Sequence, residues 1–263
     1  MPISVSLPDG YRPVTRGGTW AFGAERVLPW LEEVLAAGQT LHAWAASHPE
    51  RRELSGRGRV FSVPAPLGAR PATRWVFRHY HRGGAVARWL GDRYLALGRH
   101  RPLQEARASV EVGRRGIPTP TVVAGAVYRE GLFYRADLVT EEIPGAADLA
   151  AVLFAGVAPG LDAEAALMAA GALVRRLEAA GVFHPDLNAK NIVLQPDPTG
   201  VRAHLVDLDR CTLRPEGART PVHAMRRRLE RSLRKCSGHA GRPLPESAWS
   251  ALRSGFGVGR AGA

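Results

Sequence analysis

The chain has 263 residues, of which 45% are hydrophobic, and a formal net charge of +12. That length and apolar content suit one two-lobed domain or two small ones, and no run of roughly 18 uncharged apolar residues exists to span a membrane. Two cysteines, Cys211 and Cys236, exclude a disulfide framework and lack metal-ligand spacing, so we expect a reduced, cytoplasmic protein without a signal peptide.

The positive charge comes almost entirely from arginine and favours anionic partners, namely nucleic acid, an acidic membrane surface or phosphorylated substrates. An Arg-, Ala- and Gly-rich composition is also what a GC-rich genome produces, so part of the charge is compositional. The charge is accompanied by neither zinc-ligand spacing nor an RNP-like aromatic run, so we expect no nucleic-acid partner.

The first predicted element is a helix over Glu25–Ala46, in which Pro29 and Gly38 are expected interruptions. Its apolar residues recur at helical spacing and form one face, which either packs on a core or lies on a membrane. The Pro- and Gly-rich residues up to 24 are predicted to be weakly ordered. Residues 1–50 are therefore assigned to an N-terminal extension with a helix.

Residues 51–140 are rich in predicted strands. In the strand Arg74–Tyr80, alternation places Trp75, Phe77 and His79 on one face. The predicted elements are a Gly-punctuated turn feeding a strand (Gly56–Val63), the strand Arg74–Tyr80, a helix (Arg101–Arg115) and the strands Thr121–Tyr128 and Phe133–Thr140.

Residues 141–263 begin with a connector, Glu141–Gly145, and are then mainly helical. Asp162 is predicted to cap a helix that runs to Ala180 and stops at Gly181. The elements predicted after it are the strands Asn191–Gln195 and Arg202–Asp209 and a basic helix, Arg226–Lys235.

The segment Phe183–Leu194 carries the most chemical information in the chain. His184, Asp186 and Asn191 stand at the offsets of a kinase catalytic loop, H-x-D-x-x-x-x-N, and Asp207 ends the next apolar strand. Phosphoryl transfer needs a carboxylate aimed at the substrate hydroxyl and oxygen ligands that hold Mg²⁺ on the phosphates. Asp and Asn are also common turn residues, but the full set indicates a kinase with Asp186 as the base.

These motifs and their order resemble the protein-kinase-like fold, and in particular the bacterial lipopolysaccharide core kinases that act on 3-deoxy-D-manno-octulosonic acid (Kdo). An R-H-Y-x-R-G-G run and a D-x-D in place of D-F-G are specific for that family. The similarity covers roughly Gly56 to Lys235 and is carried by Phe77–Gly84, Tyr134–Leu138, Ile143–Ala146, Asp186–Ala189 and Val206–Arg210.

The resemblance implies an α+β, two-lobed fold. Residues 51–140 would form an N-terminal lobe, an antiparallel nucleotide-binding sheet with one helix. Residues 141–263 would form a reduced, mainly helical C-terminal lobe with the catalytic loop, the metal site and the basic helix.

The resemblance also assigns roles to single residues, with ATP and Mg²⁺ as cofactors. Kinases usually place a Lys on the third strand against the phosphates. The only lysines, Lys190 and Lys235, lie elsewhere in the sequence, so Arg78 would take that role, with Glu105 as its partner. The alternative interpretation of Arg78 is a surface arginine on a strand. The remaining assignments are Gly56 and Gly58 in the loop over the ATP phosphates, Glu141 and Ile143 as backbone contacts to adenine, and Asn191 and Asp207 as Mg²⁺ ligands.

Three departures from protein kinases bear on regulation and on the acceptor. Pro185 replaces the Arg that reads a phosphorylated activation loop, which argues against that form of control. Leu208 and Asp209 replace Phe-Gly, and Asp209 is either a second metal-side or substrate-side carboxylate or a turn residue. The sequence after Asp207 has no A-P-E motif, so we expect a small or lipid-linked acceptor rather than a protein.

The family resemblance implies an acceptor hydroxyl on Kdo, the 4-position, in Kdo–lipid A, which carries phosphates and the Kdo carboxylate. A basic cleft would suit that substrate, with Arg82, Arg88 and Arg210 as candidates. The helix Arg226–Lys235 either packs on the large lobe with a solvated rim or contacts an anionic membrane. We therefore expect a peripheral protein at the cytoplasmic face of the bacterial inner membrane, without an obligate protein partner.

Other functions stay open from the sequence. A heptose kinase or an aminoglycoside-type phosphotransferase would differ only in its acceptor. A nucleotide-binding pseudokinase scaffold is disfavoured by the intact Asp186, Asn191 and Asp207. A basic nucleic-acid-binding module has no motif to support it.

Overall fold

The computed structural model describes residues 6–54, 59–66, 73–81, 92–96, 100–156, 161–218 and 220–257. The chain forms two compact units: unit 1 is Met1–Arg107 with Thr121–Glu142, and unit 2 is Ala108–Pro120 with Ile143–Ala263. Unit 1 contains a large antiparallel sheet and unit 2 is mainly helical, which confirms the predicted α+β class. The three-part domain division at residues 50 and 140 stays a prediction.

Among the described residues, unit 1 is built around an eight-stranded antiparallel sheet. Its strands are β1 (Tyr11–Arg16), β2 (Thr19–Ala24), β3 (Arg52–Leu54), β4 (Val60–Pro64), β5 (Arg74–His79), β6 (Tyr94–Leu95), β7 (Val122–Glu130) and β8 (Phe133–Glu141). They lie in the order β1-β2-β7-β8-β5-β4-β3, and β6 pairs with β8. The register of β5 against β8 sets Arg78 opposite Leu138 and His79 opposite Asp137.

The first strands form a β-hairpin, so the prediction of weak order up to residue 24 is wrong for this stretch. β1 pairs with β2, which in turn pairs with β7. Gly17 and Gly18 connect the strands with φ values of 53° and 80°, a backbone region that glycine enters at little cost. Trp20 and Phe22 of β2 are buried. The Gly-Gly pair is a hairpin signal that composition alone does not separate from flexibility.

Two helices replace the single helix predicted over residues 25–46. A 3-10 turn (Glu25–Val27) leads into α1 (Leu28–Ala36), which α2 (Leu41–Ser47) follows. Pro29 lies in the first turn of α1, where its missing N–H is not needed, so it begins the helix instead of interrupting it. Gly38, with φ of 69°, separates the two helices as predicted.

An aromatic core joins α1 to the sheet. The ring centroid of Trp30 lies 5.1 Å from that of Trp75 and 5.9 Å from that of Phe77. Trp75 and Phe77 are both fully buried, as expected for residues predicted to share one face of β5. The helix predicted at 101–115 is present as α3 (Arg101–Arg114) and carries Glu105.

Unit 2 combines helices with two small antiparallel sheets. Its elements are β9 (Ala147–Asp148), a π-helical turn (Ala151–Ala155), α4 (Ala163–Ala179), β10 (Val182–Phe183), β11 (Ile192–Asp197), β12 (Gly200–Leu205), a 3-10 turn (Leu208–Arg210), β13 (Thr212–Leu213), α5 (Val222–Ala240) and α6 (Glu246–Gly255). The sheets are β12-β11-β9 and β10-β13. The Asp162 carboxylate caps α4 by accepting a 2.8 Å bond from the Ala165 N–H, as predicted.

The helices α4 and α6 pack backbone against backbone. A Cβ added to Gly171 of α4 would overlap the carbonyl oxygen of Leu252, and one added to Gly255 of α6 would overlap that of Met168. Both positions therefore need glycine for the close approach.

The basic helix α5 turns an apolar side to the core of unit 2. Met225, Leu229 and Leu233 are fully buried, which supports the packing interpretation of this helix. Arg227 and Arg231 lie on its exposed side. Within the part of the chain that the structure describes, no helix combines the length and apolarity needed to cross a membrane.

Candidate active site

The predicted catalytic loop leaves β10 and enters β11 as a tight, internally bonded turn. The side-chain amides of Asn188 and Asn191 both donate to the backbone carbonyl of Asp186, at 2.8 and 3.2 Å. The Lys190 N–H donates to the Asn188 side chain at 2.9 Å. Because two side chains hold one carbonyl, the backbone of Asp186 is fixed before any substrate arrives.

His184 lies beneath the surface at the start of this loop and is 1% exposed. Its Nδ1 accepts the Asp186 N–H at 3.2 Å, so the neutral ring carries its proton on Nε2, which faces the Val206 carbonyl at 3.4 Å. Burial lowers the pKa of His184, against the opposing negative charge of Asp207. His184 is therefore a neutral positioning group at pH 7.

The carboxylate of Asp186 is partly open to solvent. Its Oδ2 lies 2.6 Å from Nη1 of Arg210, and its Oδ1 pairs with Nη2 of Arg228. Arg210 was predicted as a substrate contact. The contact with Arg228 was missed, because the sequence predicts that residue only as part of the basic helix and 42 positions separate it from Asp186.

Helix α5 also holds the loop directly. Oγ of Ser232 accepts the backbone N–H of Ala189 at 3.1 Å, and the sulfur of Met225 accepts the N–H of His184 at 3.4 Å. Arg228 and Ser232 are four residues apart, so they lie on the same flank of the helix. One helix thus positions the loop and places a cation on its carboxylate.

Asp207 follows β12 in an unusual backbone conformation. Its φ is 65° and its ψ is 55°, and among the described residues it is the only one other than glycines with a positive φ. Such a conformation costs about 1–3 kcal/mol and concentrates at functional sites. The Val206 N–H donates to the Asn191 carbonyl at 3.0 Å, which ties the Asp207 segment to the catalytic loop. Asn191 and Asp207 offer amide and carboxylate oxygens, the ligand type that Mg²⁺ prefers.

In unit 1 the structure brings together Arg78 and Glu105, as predicted. Nη2 of Arg78 pairs with Oε2 of Glu105, whose side chain is only 6% exposed. The Tyr80 hydroxyl donates to the same oxygen at 2.5 Å, and the Arg78 guanidinium lies 4.9 Å from the Tyr80 ring centroid. Arg78 therefore pairs with a buried carboxylate, and its role at the phosphates stays a prediction.

A second polar network in unit 1 was not predicted. Asp137 is 1% exposed and accepts bonds from Nδ1 of His79 at 2.6 Å, the Tyr128 hydroxyl at 2.8 Å and the backbone N–H of His42 at 2.9 Å. Nε2 of His79 meets Asp92 at 2.8 Å. Burial by itself lowers the pKa of His79, but the bonds and charges of Asp137 and Asp92 outweigh it and raise that pKa.

The structure describes only some of the other predicted site residues. Gly56, Gly58, Arg82 and Arg88 lie outside the described residues. Glu141 ends β8, where its N–H donates to the Thr121 carbonyl at 2.9 Å and its carboxylate meets Arg26 at 2.6 Å. Ile143 opens the next segment, and its carbonyl accepts the Ala146 N–H at 3.3 Å. Asp209 lies in the 3-10 turn after Asp207.

Known proteins are similar in sequence to this chain over most of its length. A 3-deoxy-D-manno-octulosonic acid kinase of Xanthomonas oryzae pv. oryzae (strain PXO99A) is 39% identical over 188 residues, which are 70% of this chain and 69% of that protein. The protein of the same name from Xanthomonas axonopodis pv. citri (strain 306) is 36% identical over 206 residues, 78% of this chain and 77% of that protein.

A solved structure, "WaaP in complex with acyl carrier protein", has a TM-score of 0.49 and 19% sequence identity, and the match covers 86% of this chain and 85% of that one. The family description "Lipopolysaccharide kinase (Kdo/WaaP) family" matches residues 41–256. With that match and relatives up to 39% identical, the chain belongs to the lipopolysaccharide kinase (Kdo/WaaP) family and is a phosphotransferase.

Proposed function

We propose that this kinase transfers the γ-phosphate of ATP to a Kdo hydroxyl, the 4-hydroxyl by resemblance, on Kdo–lipid A. The acceptor is taken from the names of the relatives, which are Kdo kinases. The observation that carries the proposal is the catalytic loop, in which His184, Asn188 and Asn191 fix the backbone of Asp186 while its carboxylate stays accessible.

In this proposal Asp186 is the general base. The acceptor hydroxyl lies against the Asp186 carboxylate, and its oxygen forms a bond to the γ-phosphorus while the bond between that phosphorus and ADP breaks. The hydroxyl proton passes to Asp186. Such positioned proton transfer contributes about 10²- to 10⁴-fold to a rate.

Asn191 and Asp207 are proposed to hold Mg²⁺, which when bound neutralises charge on the transferring phosphates. Their hard oxygen donors fit this ion. The backbone of Asp207 supports the assignment, because residues held in unusual backbone conformations are concentrated at functional sites.

The nucleotide contacts are proposed from unit 1 and the connector. Arg78, braced by Glu105, would hold phosphate oxygens, and the fixed fork of its guanidinium suits that task. The Glu141 N–H bonds to the Thr121 carbonyl, and the backbones of Glu141 and Ile143 would contact adenine. Gly56 and Gly58 would lie in the loop over the phosphates.

We also propose that the enzyme works at the cytoplasmic face of the inner membrane as a peripheral protein. The exposed arginines of α5 would meet anionic headgroups, each worth about 1 kcal/mol near the surface. Vesicle flotation tests this: retention should rise with anionic lipid and fall with salt.

The test of the function is transfer to Kdo–lipid A with ATP and Mg²⁺, read by mass spectrometry of the product. We expect one added phosphate on the Kdo portion, and none with the Asp186→Asn variant. Transfer to a heptose or an aminoglycoside, but not to Kdo, would show that this other molecule is the acceptor. ATP binding without any transfer would favour the scaffold alternative.

A further inference from the structure

Two arginines from different elements occupy both oxygens of the proposed base. Arg210 comes from the 3-10 turn that follows Asp207, and its Nη1 meets Oδ2 of Asp186 at 2.6 Å. Arg228 comes from α5, and its Nη2 pairs with Oδ1. An acceptor hydroxyl that gives its proton to Asp186 must reach one of these oxygens, each of which can accept a second hydrogen bond, so the acceptor lies directly beside an arginine when it binds.

These contacts are suited to exchange. The arginine side chains are 63% and 46% exposed, so water replaces each contact as it breaks and little free energy is lost. A guanidinium carries five N–H donors, and each arginine uses one nitrogen on Asp186. Both therefore retain donors for a second anion beside the base.

The site is anchored to the catalytic loop. Arg228 lies between the buried Met225 and Leu229 on α5, and Ser232 one turn later accepts the N–H of Ala189. A shift of the helix would thus move the loop as well. The base of the Arg228 side chain is fixed, while its exposed end is able to turn from one anion to another.

We propose that Arg228, together with Arg210, binds the carboxylate of the acceptor sugar and so selects an acidic sugar as substrate. The inference rests on the proposed function. A carboxylate on the same ring as the reacting hydroxyl reaches the arginines while that hydroxyl lies on Asp186. Arginine forks match carboxylates in a two-bond geometry, and the acceptor carboxylate takes over donors that Asp186 holds in the free enzyme.

The test compares two acceptors in neutral detergent, where vesicle charge plays no part. One is Kdo–lipid A and the other is the same molecule with the Kdo carboxylate converted to its methyl ester. Steady-state constants are measured for the wild type, Arg228→Gln, Arg228→Lys and Arg227→Gln. Arg227 is the matched control, because it is a neighbouring, exposed arginine of the same helix that does not touch Asp186.

For the wild type and Arg227→Gln we expect the ester to lower kcat/KM about 30-fold, mainly through a higher acceptor KM. In the Arg228→Gln variant, kcat/KM should be lower than in the wild type by a similar factor on the acid and by only about two-fold on the ester. The KM for ATP should stay unchanged. Arg228→Lys should recover part of the discrimination, because it restores the charge without the fork.

Three results would overturn the inference. Equal discrimination between acid and ester in Arg228→Gln and wild type would remove Arg228 as the reader of the carboxylate. A loss of kcat alone, on both acceptors, would make it a support for the base. If removing the lipid A phosphates abolishes the effect of Arg228→Gln and esterification does not, a phosphate is the bound anion.

Failure of the function itself gives a different result. A wild-type enzyme that binds ATP and transfers phosphate to neither form of Kdo–lipid A would overturn the proposed function and this inference with it. Normal wild-type transfer with any of the three contrary results overturns the inference alone.

Discussion

Two clusters of arginine and carboxylate, Arg78 with Glu105 in unit 1 and Asp186 with Arg210 and Arg228 in unit 2, differ in their access to water. In unit 1, Glu105 is 6% exposed and receives both Arg78 and the Tyr80 hydroxyl. In unit 2, the Asp186 side chain is 37% exposed and its arginines more so. The first cluster is part of the folded framework, whereas the second is open to exchange with a ligand.

The physical reason lies in desolvation. Removing one partner of a buried pair leaves a charge without compensation, so the pair resists change. Exposed partners are rehydrated when they separate, so little free energy is lost. The first arrangement suits the role proposed for Arg78 in holding phosphates in one place, and the second suits the role proposed for Asp186, which must accept a new substrate at each turnover.

The largest effect should come from Asp186→Asn. Loss of the proposed base should lower kcat about 10²- to 10⁴-fold, while a partly exposed carboxylate contributes little to folding. Transfer is measured by mass spectrometry and the free energy of unfolding by urea titration. Asp197→Asn, which removes a carboxylate paired with Arg202 elsewhere in unit 2, serves as the control and should keep its activity. Near-normal transfer by Asp186→Asn would disprove its role.

Glu105→Gln should have the largest effect on stability. It leaves the Arg78 charge without its partner. Because Arg78 reaches some solvent, we expect the free energy of unfolding to fall by about 2–3 kcal/mol, less than for a fully buried pair. Glu25→Gln breaks an exposed pair with Arg12, also in unit 1, and should cost less than about 0.5 kcal/mol. Equal losses in the two variants would contradict the distinction between buried and exposed pairs.

The His79 network should make unit 1 sensitive to pH. Since the folded pKa of His79 is raised, its contribution is complete below the unfolded value near 6.5 and is lost as pH rises through the folded pKa. The groups that face it are Asp137, Asp92, His81 and His42. The excess stability of wild type over His79→Gln should therefore fall from pH 6 to pH 9 in urea titrations. A constant difference would contradict this.

Arg210→Gln should have only a small effect on stability. Its pair with Asp186 is exposed, so the free energy of unfolding should change by less than about 1 kcal/mol. Thermal melts with and without 1 M salt provide the measurement. A loss as large as that of Glu105→Gln would mean that the cluster in unit 2 also belongs to the folded framework.

The sequence predicted those features that depend on local signals. The ends of α3 and α4 fall within one residue of the prediction, because Gly116, Asp162 and Gly181 act on their own neighbours. The catalytic loop could be predicted for a similar reason, since its spacing is itself the signal. The pair of Arg78 and Glu105 came from family resemblance, as their spacing of 27 positions carries no local pattern.

Other features depend on tertiary packing, and the sequence had no means of revealing them. The rotation of α5 is set by Met225, Leu229 and Leu233, and only that rotation brings Arg228 to Asp186. The burial of Asp137 depends on strand register in the sheet. The hairpin at Gly17 and Gly18 differs: its signal was local, but a composition rich in glycine obscured it.

The backbone of Asp207 has a consequence for descent within the family. At positive φ, Asp and Asn are among the few side chains tolerated besides glycine, so Asp207→Asn removes the charge and leaves the backbone preference intact. A single nucleotide change in the codon makes this substitution. A gene copy that acquired it would still encode a protein of this fold but would lose the negative charge that we propose to hold Mg²⁺. If that proposal holds, one codon change separates a catalyst from a protein that only binds its ligands.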